Sequence, residues 1–434
     1  LVLASCAGGP PHPRVDSAVL VTIDTFRADA FGAGGHPLVR TPCLDRFFRG
    51  SVQFSSAFSP CATTLASHTS ILTGAWPTSH GVLRNMHRVP DELTTLAEIL
   101  RENAFATAAF VSSSALEPQL NLSQGFDVYD FRPIQSPELE QAWRPAGRTL
   151  HRAQAWWTGG SGRRFLWVHV FEPHFPYDPP PQLVELYDPG FTGDITGDMQ
   201  TIFDVWAEPD DFSAEQREHL KAMYFAEISG LDRTLGRFLA EIEDSPATIF
   251  VVTADHGESL GEHNLHFKHG PYLYPQDVEV PLAVRAPGES PGIVPAMVRT
   301  LDIPRTMLAR LSVEAELPQE SADLMQWRDG GEGLPVFGLA SMPWHRFEGP
   351  ADSQLQRALR TPRAAYVDTP WERRREFFRR DGDPGELRPI APEGDEAEAL
   401  RATLDAWLSG SSSPAADLGD AELQERLRSL GYVE

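Results

Sequence analysis

Five short apolar runs, each closed by polar or turn-forming residues, constrain this chain more than any other feature. They are AVLVTI (18–23), FATAAFV (105–111), FLWVHVF (165–171), TIFVVTA (248–254) and VPLAVRA (280–286). Runs of this length without polar alternation are the pattern of strands buried on both faces. Helical periodicity fills the gaps between them. Residues 92–102 place Leu93, Leu96, Ile99 and Leu100 on one face. From 213 to 243, Leu220, Met223, Ile228, Leu231, Leu235, Phe238 and Ile242 recur at the helical period, and Ser213 and Gln216 have the spacing of a capping box. Strands alternating with helices predict an α/β fold, a three-layer α/β/α sandwich around a large, mostly parallel sheet.

A chain of 434 residues exceeds what one core usually organises. Residues 17–290 are expected to form the catalytic α/β domain. Beyond 290, Pro, Gly and Glu rise and apolar runs shorten, so 291–408 reads as a smaller C-terminal α+β subdomain. Residues 409–434 read as a flexible tail ending in a short amphipathic helix over 421–430, and 1–16 as an apolar run leading into a linker. The 37 Lys and Arg against 61 Asp and Glu leave a formal charge of −24, which repels phosphate backbones, so no nucleic-acid partner is expected. The same acidic surface and 14 His suit divalent cations. Three Cys build no disulfide framework; Cys43 and Cys61 either pair in an oxidising compartment or stay buried as thiols. No segment approaches the roughly 20 apolar residues of a membrane span.

In open α/β sheets ligands sit beyond the carboxyl ends of the strands. Three of the runs end in Asp24, in His169, Glu172 and His174, and in Asp255 and His256. One Asp after a strand is ordinarily a helix cap or turn former. Three strand ends delivering carboxylates and imidazoles together point instead to a divalent-cation site, open at this stage to Zn²⁺, Mn²⁺, Mg²⁺ or Ca²⁺. The following stretch, GESLGEHNLHFKHG (257–270), adds His263, His266, Lys268 and His269. These are either a polar surface loop or groups that hold an anionic ester. His269 ranks first, because Gly270 lets the backbone come close to a ligand.

The segment SPCATTLASHTSILTG (59–74) resembles the nucleophile motif of the sulfatase family within the alkaline phosphatase superfamily, written C-X-P-S-R-X-X-X-L-T-G or, in one branch, T-L-P-S-H-X-S-X-L-T-G. Thr64, Ser67, His68, Ser70, Leu72, Thr73 and Gly74 match the second form, and His80, Gly81 and Asn85 continue it. VLVTIDTFRADAFG, FLWVHVFEPHFPYDPP, YFAEISGLDRTLGRFL and TADHGESLGEH are similar to further family segments in the same order. The resemblance implies that Asp24, Asp255 and His256 are metal ligands and that Thr64 is both ligand and nucleophile. It implies that His174 and His269 contact the substrate's anionic oxygens or a second metal, with Arg27, His68 and Lys268 as substrate-binding candidates.

Departures from the family pattern shape the expected chemistry. Thr64 stands where formylglycine sulfatases carry the modified Cys, and Cys61 lies three residues too early, so no formylglycine is expected. A threonyl sulfate cannot collapse to an aldehyde, whereas a threonyl phosphate can be attacked at phosphorus by water, so phosphodiester or phosphomonoester hydrolysis is favoured. Thr25 replaces a second Asp, which favours Zn²⁺ or Mn²⁺ over Ca²⁺ or Mg²⁺ and leaves a second ion open. Ala66 replaces the usual Pro and Glu172 the usual Asp. The alternatives are an arylsulfatase-like sulfate-ester hydrolase, a phosphoethanolamine-type transferase, and a non-catalytic anion- or glycan-binding lipoprotein. The substrate is expected to be a small anionic ester, a glycan or a lipid head group. Finally, LVLASC resembles a bacterial lipobox, which implies a lipid anchor on Cys6 and a periplasmic or cell-surface place in the bacterial envelope; the alternative is an ordinary apolar start with a chance Cys.

Overall fold

Each of the five apolar runs forms a strand of one sheet. The computed structural model describes residues 15–131, 135–136, 139–140, 143–243, 245, 247–342, 351–410 and 414–416. The sheet holds β1 (Ser17–Ile23), β2 (Val52–Phe58), β3 (Ala106–Phe110), β4 (Val128–Asp130), β5 (Arg164–Val170), β6 (Thr248–Ala254), β7 (Glu279–Arg285) and β8 (Gly292–Arg299). Their order is β8-β2-β7-β6-β1-β5-β3-β4. β7 alone runs against its neighbours, so the sheet is mixed but mostly parallel. Every residue of β1 and of β6 is buried, which is why these segments lack polar alternation.

Helices cover the sheet. α1 (Pro42–Arg49), α4 (Ala146–Gly159) and α5 (Ala214–Ile242) pack together, while α2 (Thr64–Thr73), α3 (Leu96–Glu102) and α6 (Ile303–Leu311) form a second group. The α/β/α sandwich is therefore present. The long helix α5 starts where Ser213 and Gln216 predict, with both bonds of the capping box formed. Within it Gly236 is needed for close approach, because a Cβ there would lie 2.3 Å from Cβ of Cys43 on α1. α3 begins later than expected. Thr95 caps it through a second capping box with Glu98, so Leu93 precedes the helix.

The weakly patterned stretch after 290 holds more order than its composition implies. β8 belongs to the large sheet, although its residues fall in the part assigned to the C-terminal subdomain. Pro295 obscures it: the strand occupies the sheet edge and its register shifts between Val294 and Met297, where a missing backbone donor is tolerated. The C-terminal α+β subdomain is a four-stranded antiparallel meander of β9 (Val336–Ser341), β10 (Leu355–Arg360), β11 (Ala364–Thr369) and β12 (Arg374–Arg379), with α7 (Asp395–Leu408) packed on β10 and β11. Cys43 and Cys61 are free thiols. Cys6 and the 421–430 helix lie outside the described residues, among which no helix is long and apolar enough to cross a membrane.

Candidate active site

Strand register brings the first two acidic residues together. β1 and β6 are parallel neighbours with Ile23 opposite Ala254, so Asp24 and Asp255 leave adjacent strands side by side. His256 follows, and ligand atoms of Asp24, Asp255 and His256 all lie within 4.8 Å of one another. His256 Nε2 is 3.7 Å from Asp24 Oδ1 and 3.6 Å from Asp255 Oδ2. After His256 the chain must bend past Gln276, and a Cβ on Gly257 would stand 2.1 Å from the Gln276 carbonyl oxygen.

All three side chains are fully buried, and both oxygens of Asp24, Oδ2 of Asp255 and Nε2 of His256 lack hydrogen-bond partners. Burial pushes the Asp24 carboxyl up, and burial together with the Asp24 charge pushes Asp255 up. Three buried carboxylate oxygens without hydrogen-bond partners are costly in isolation, so their convergence on one imidazole fits a divalent cation with mixed oxygen and nitrogen donors. His256 Nδ1 donates to the Gly257 carbonyl oxygen at 3.0 Å, which leaves the Nε2 lone pair for a metal. Close by, His169 Nε2 is buried without a hydrogen bond, 3.4 Å from Asp24 Oδ2. Thr25, in the position of the family's second Asp, has φ +52° and a buried, unpartnered Oγ1. A β-branched residue rarely adopts that backbone region.

Thr64 opens α2, whose first turns touch Asp255. Two contacts tie its turn to Asp255: Ser67 Oγ donates to the Asp255 carbonyl oxygen at 2.7 Å, and the His68 ring lies 3.7 Å from Asp255 Oδ2. The backbone N–H of Leu65 donates to Asn85 Oδ1 at 2.9 Å. His68 itself departs from expectation. Its Nδ1 donates to the Thr64 carbonyl oxygen at 2.7 Å, and Nε2 accepts from Thr22 Oγ1 at 2.9 Å. Thr22 Oγ1 in turn accepts from Trp167 Nε1 at 3.0 Å. Burial holds the His68 pKa down at about 3, so the ring is neutral. With no exposed surface and both nitrogens hydrogen-bonded, His68 braces the Thr64 turn from the sheet.

His174 and His269 meet over the carboxylates. Their ring centroids are 4.9 Å apart, and His269 lies 4.7 Å from the His256 ring. His174 Nδ1 donates to the Phe175 carbonyl oxygen, and His269 Nδ1 lies 3.2 and 3.3 Å from the two oxygens of Glu258. Each ring therefore keeps Nε2 for the site. Gly270 adopts φ +103°, and the nearest atom to a Cβ there is 3.6 Å away, so its role is backbone conformation and not close approach.

Arg27 also departs from expectation. Its guanidinium is bound by Asp29 and Glu262 at 2.8 Å each, and donates to the Glu258 carbonyl oxygen at 2.9 Å. Arg27 is thus a brace for the loop after His256. Lys268 Nζ stands 5.8 Å from the Trp206 ring centroid, and His263 stacks on Tyr274 at 3.6 Å. Glu172 turns away and caps α4, both oxygens accepting from the Ala146 N–H at 3.0 Å. Cys61 is buried, and burial raises its thiol pKa, so it is no thiolate nucleophile. Glu258 and Thr22 were not singled out from sequence; a Glu two residues past a strand-end His is the only local sign of the first.

A strand-end metal cradle beneath a helix N-terminus, inside this α/β/α sheet, defines an ester hydrolase of the alkaline phosphatase superfamily. The family model for Sulfatase matches residues 17–313, and the chain belongs to the sulfatase family. It is 26% identical to the ulvan-active sulfatase of Formosa agariphila over 97% of this chain and 86% of that one. It is 24% identical to the arylsulfatase of Clostridium perfringens over 74% of this chain and 81% of that one. Among solved structures, the phosphonate monoester hydrolase of Agrobacterium radiobacter matches with a TM-score of 0.74 at 19% identity, covering 91% of this chain and 95% of that one. Enzymes of the family use a divalent metal ion, and Asp24, Asp255 and His256 fit one.

Proposed function

We propose that this hydrolase acts on phosphate esters, diester or monoester, with Thr64 as its nucleophile. The observation that carries the reading is the Thr64 turn, tied to Asp255 through Ser67 and His68 at the opening of α2. A divalent ion, Zn²⁺ or Mn²⁺ for two carboxylates and an imidazole, supplies positive charge that favours a deprotonated hydroxyl and offsets charge on the ester. Thr64 Oγ gives its proton to solvent and attacks phosphorus; the Oγ–P bond forms in line as the bond from phosphorus to the ester oxygen breaks, and the alcohol leaves with a proton from solvent. His174 and His269 present Nε2 to oxygens on which charge develops. Water then cleaves the threonyl phosphate and restores Thr64.

Sulfate-ester hydrolysis is the second reading, favoured by the relatives named sulfatases, one of them active on ulvan. That name also supports a glycan ester as the substrate. The neighbour that hydrolyses phosphonate monoesters supports chemistry at phosphorus. Phosphoryl transfer to another alcohol, or anion binding without turnover, are the remaining readings.

The test is metal analysis followed by turnover of 4-nitrophenyl phosphate, bis(4-nitrophenyl) phosphate and 4-nitrophenyl sulfate by wild type and Thr64→Ala. Phosphoester turnover that drops at least about 10³-fold in Thr64→Ala, with metal retained, supports the proposal. Sulfate turnover that survives the substitution sinks it. We further place the protein in the bacterial envelope, tethered through Cys6, because LVLASC resembles a lipobox. If a Cys6→Ser chain still fractionates with membranes of a diderm host, that anchor is wrong.

A further inference from the structure

The segment that follows His269 is gripped by the C-terminal meander. Side chains of β10 hold both backbone groups of Leu273: its N–H donates to Gln356 Oε1 at 2.6 Å, and its carbonyl oxygen accepts from Arg360 Nη2. Gln356 is fully buried and both ends of its amide are engaged, Nε2 donating to Thr369 Oγ1 at 2.7 Å. Arg360 is fixed in turn by the two oxygens of Glu386, at 2.8 and 2.7 Å. On either side of Leu273, the Tyr272 hydroxyl donates to Glu372 Oε1 at 2.7 Å and the Tyr274 hydroxyl to Glu376 Oε2 at 2.6 Å. β9 reaches the other half of the site. The Leu339 N–H donates to the carbonyl oxygen of Pro60, in the loop that leads to Thr64, at 3.0 Å, and a Cβ on Gly338 would stand 3.3 Å from the Leu273 side chain. Phe58, Ala62, Leu273, Ala340 and Ala358 share one small apolar core, so the meander, the approach to Thr64 and the stretch after His269 pack as one unit.

We infer that the C-terminal meander positions His269, and that Gln356 is a positioning residue that does so by fixing Leu273. Only Gly270, Pro271 and Tyr272 separate His269 from this grip, and the fixed φ of the proline leaves little slack between them. A backbone N–H inside an apolar core has no water to turn to, so loss of the Gln356 acceptor displaces the segment and does not leave it in place. The inference rests on the role of His269 at the ester oxygens proposed above. It gives the meander a task in turnover, although none of the proposed ligands, the nucleophile or the imidazoles lies on its strands.

The test is a double-mutant cycle on the metal-loaded enzyme, Gln356→Met and His269→Ala singly and together, with whichever nitrophenyl ester of the assay above the wild type turns over. Met keeps the length of Gln without its amide. Gln356→Met should lower kcat about 10²-fold, the cost of a misplacement near 1 Å, with KM changed less than about threefold. In the His269→Ala background the same substitution should cost less than about twofold, because the group it positions is gone. Hydrogen exchange over 266–276 should quicken at least about tenfold in Gln356→Met and stay unchanged over β6. Wild-type kcat in Gln356→Met overturns the inference, as does an equal loss with and without His269. Unchanged exchange over 266–276 overturns it too, and so does quickened exchange over β6, the mark of general loosening. Wild-type kcat in His269→Ala overturns the reading of His269 and the inference with it, whereas a loss in His269→Ala beside full turnover in Gln356→Met strikes the inference alone. If Gln356→Met does not fold, Tyr272→Phe removes one bond from the same segment. Its expected loss of about tenfold should again vanish without His269, and an equal loss in both backgrounds overturns the inference.

Discussion

The His68 side chain makes two hydrogen bonds, and each joins a different layer to the Thr64 turn. Its ring links Thr22 on β1 to the Thr64 carbonyl on α2. Replacing it with Leu keeps apolar bulk but removes two buried hydrogen bonds, one to the Thr22 hydroxyl and one to the Thr64 carbonyl, each worth about 0.5–1.5 kcal/mol. The expected outcome is a lower melting temperature in calorimetry together with a fall in kcat. Gly257→Ala is expected to be as damaging, since its Cβ would meet a backbone oxygen that cannot move aside; loss of bound metal, measured by atomic emission, checks it. At this scale Asp24, Asp255 and His256 were legible in the sequence because strand ends place their side chains by register alone. The partners of Arg27 and His68 were not legible, for a physical reason. What a long or two-headed side chain does depends on which partners fold against it, and Asp29, Glu262 and Thr22 were invisible as partners until the loops closed.

Elements were legible in proportion to how much their own residues decide. β1 and β6, buried on all sides, and α5, with its capping box, appear where their patterns end. Ser213→Ala removes one of the two reciprocal bonds of that box and should cost about 1 kcal/mol in urea unfolding while leaving turnover unchanged. Recovery of wild-type stability in the variant would show that the cap bears no load. The start of α3 and the strand β8 were harder to see. Thr95 competes with the apolar face for the helix start, and Pro295 reads as a strand breaker unless the strand is known to lie at an edge.

For the whole molecule, the acidic cradle couples ligand binding to stability. Stripping the metal leaves Asp24 and Asp255 facing each other in a buried site, so chelation should lower the melting temperature. Adding back ion at about 100 times its dissociation constant should restore roughly 2.7 kcal/mol; an apo protein as stable as the metal-loaded one would refute the metal assignment. A second linkage lies at His80, which burial keeps neutral with a pKa of about 3. The unfolded chain takes up a proton near pH 6.5 that the folded chain refuses until about pH 3. Stability is therefore lost as pH falls through that window, and His80→Gln should flatten that part of the urea-midpoint profile.

The pairing of β1 with β6 has a consequence in time. One carboxylate of the cradle enters near the start of the domain and its companions only after β6, so the site does not exist in a nascent chain until Asp255 and His256 have emerged and β6 has docked in register. Ion capture is then a checkpoint on threading: the ribosome can deliver the first five strands of the sheet, but only a chain that has set β6 in register beside β1 brings the three ligand groups together.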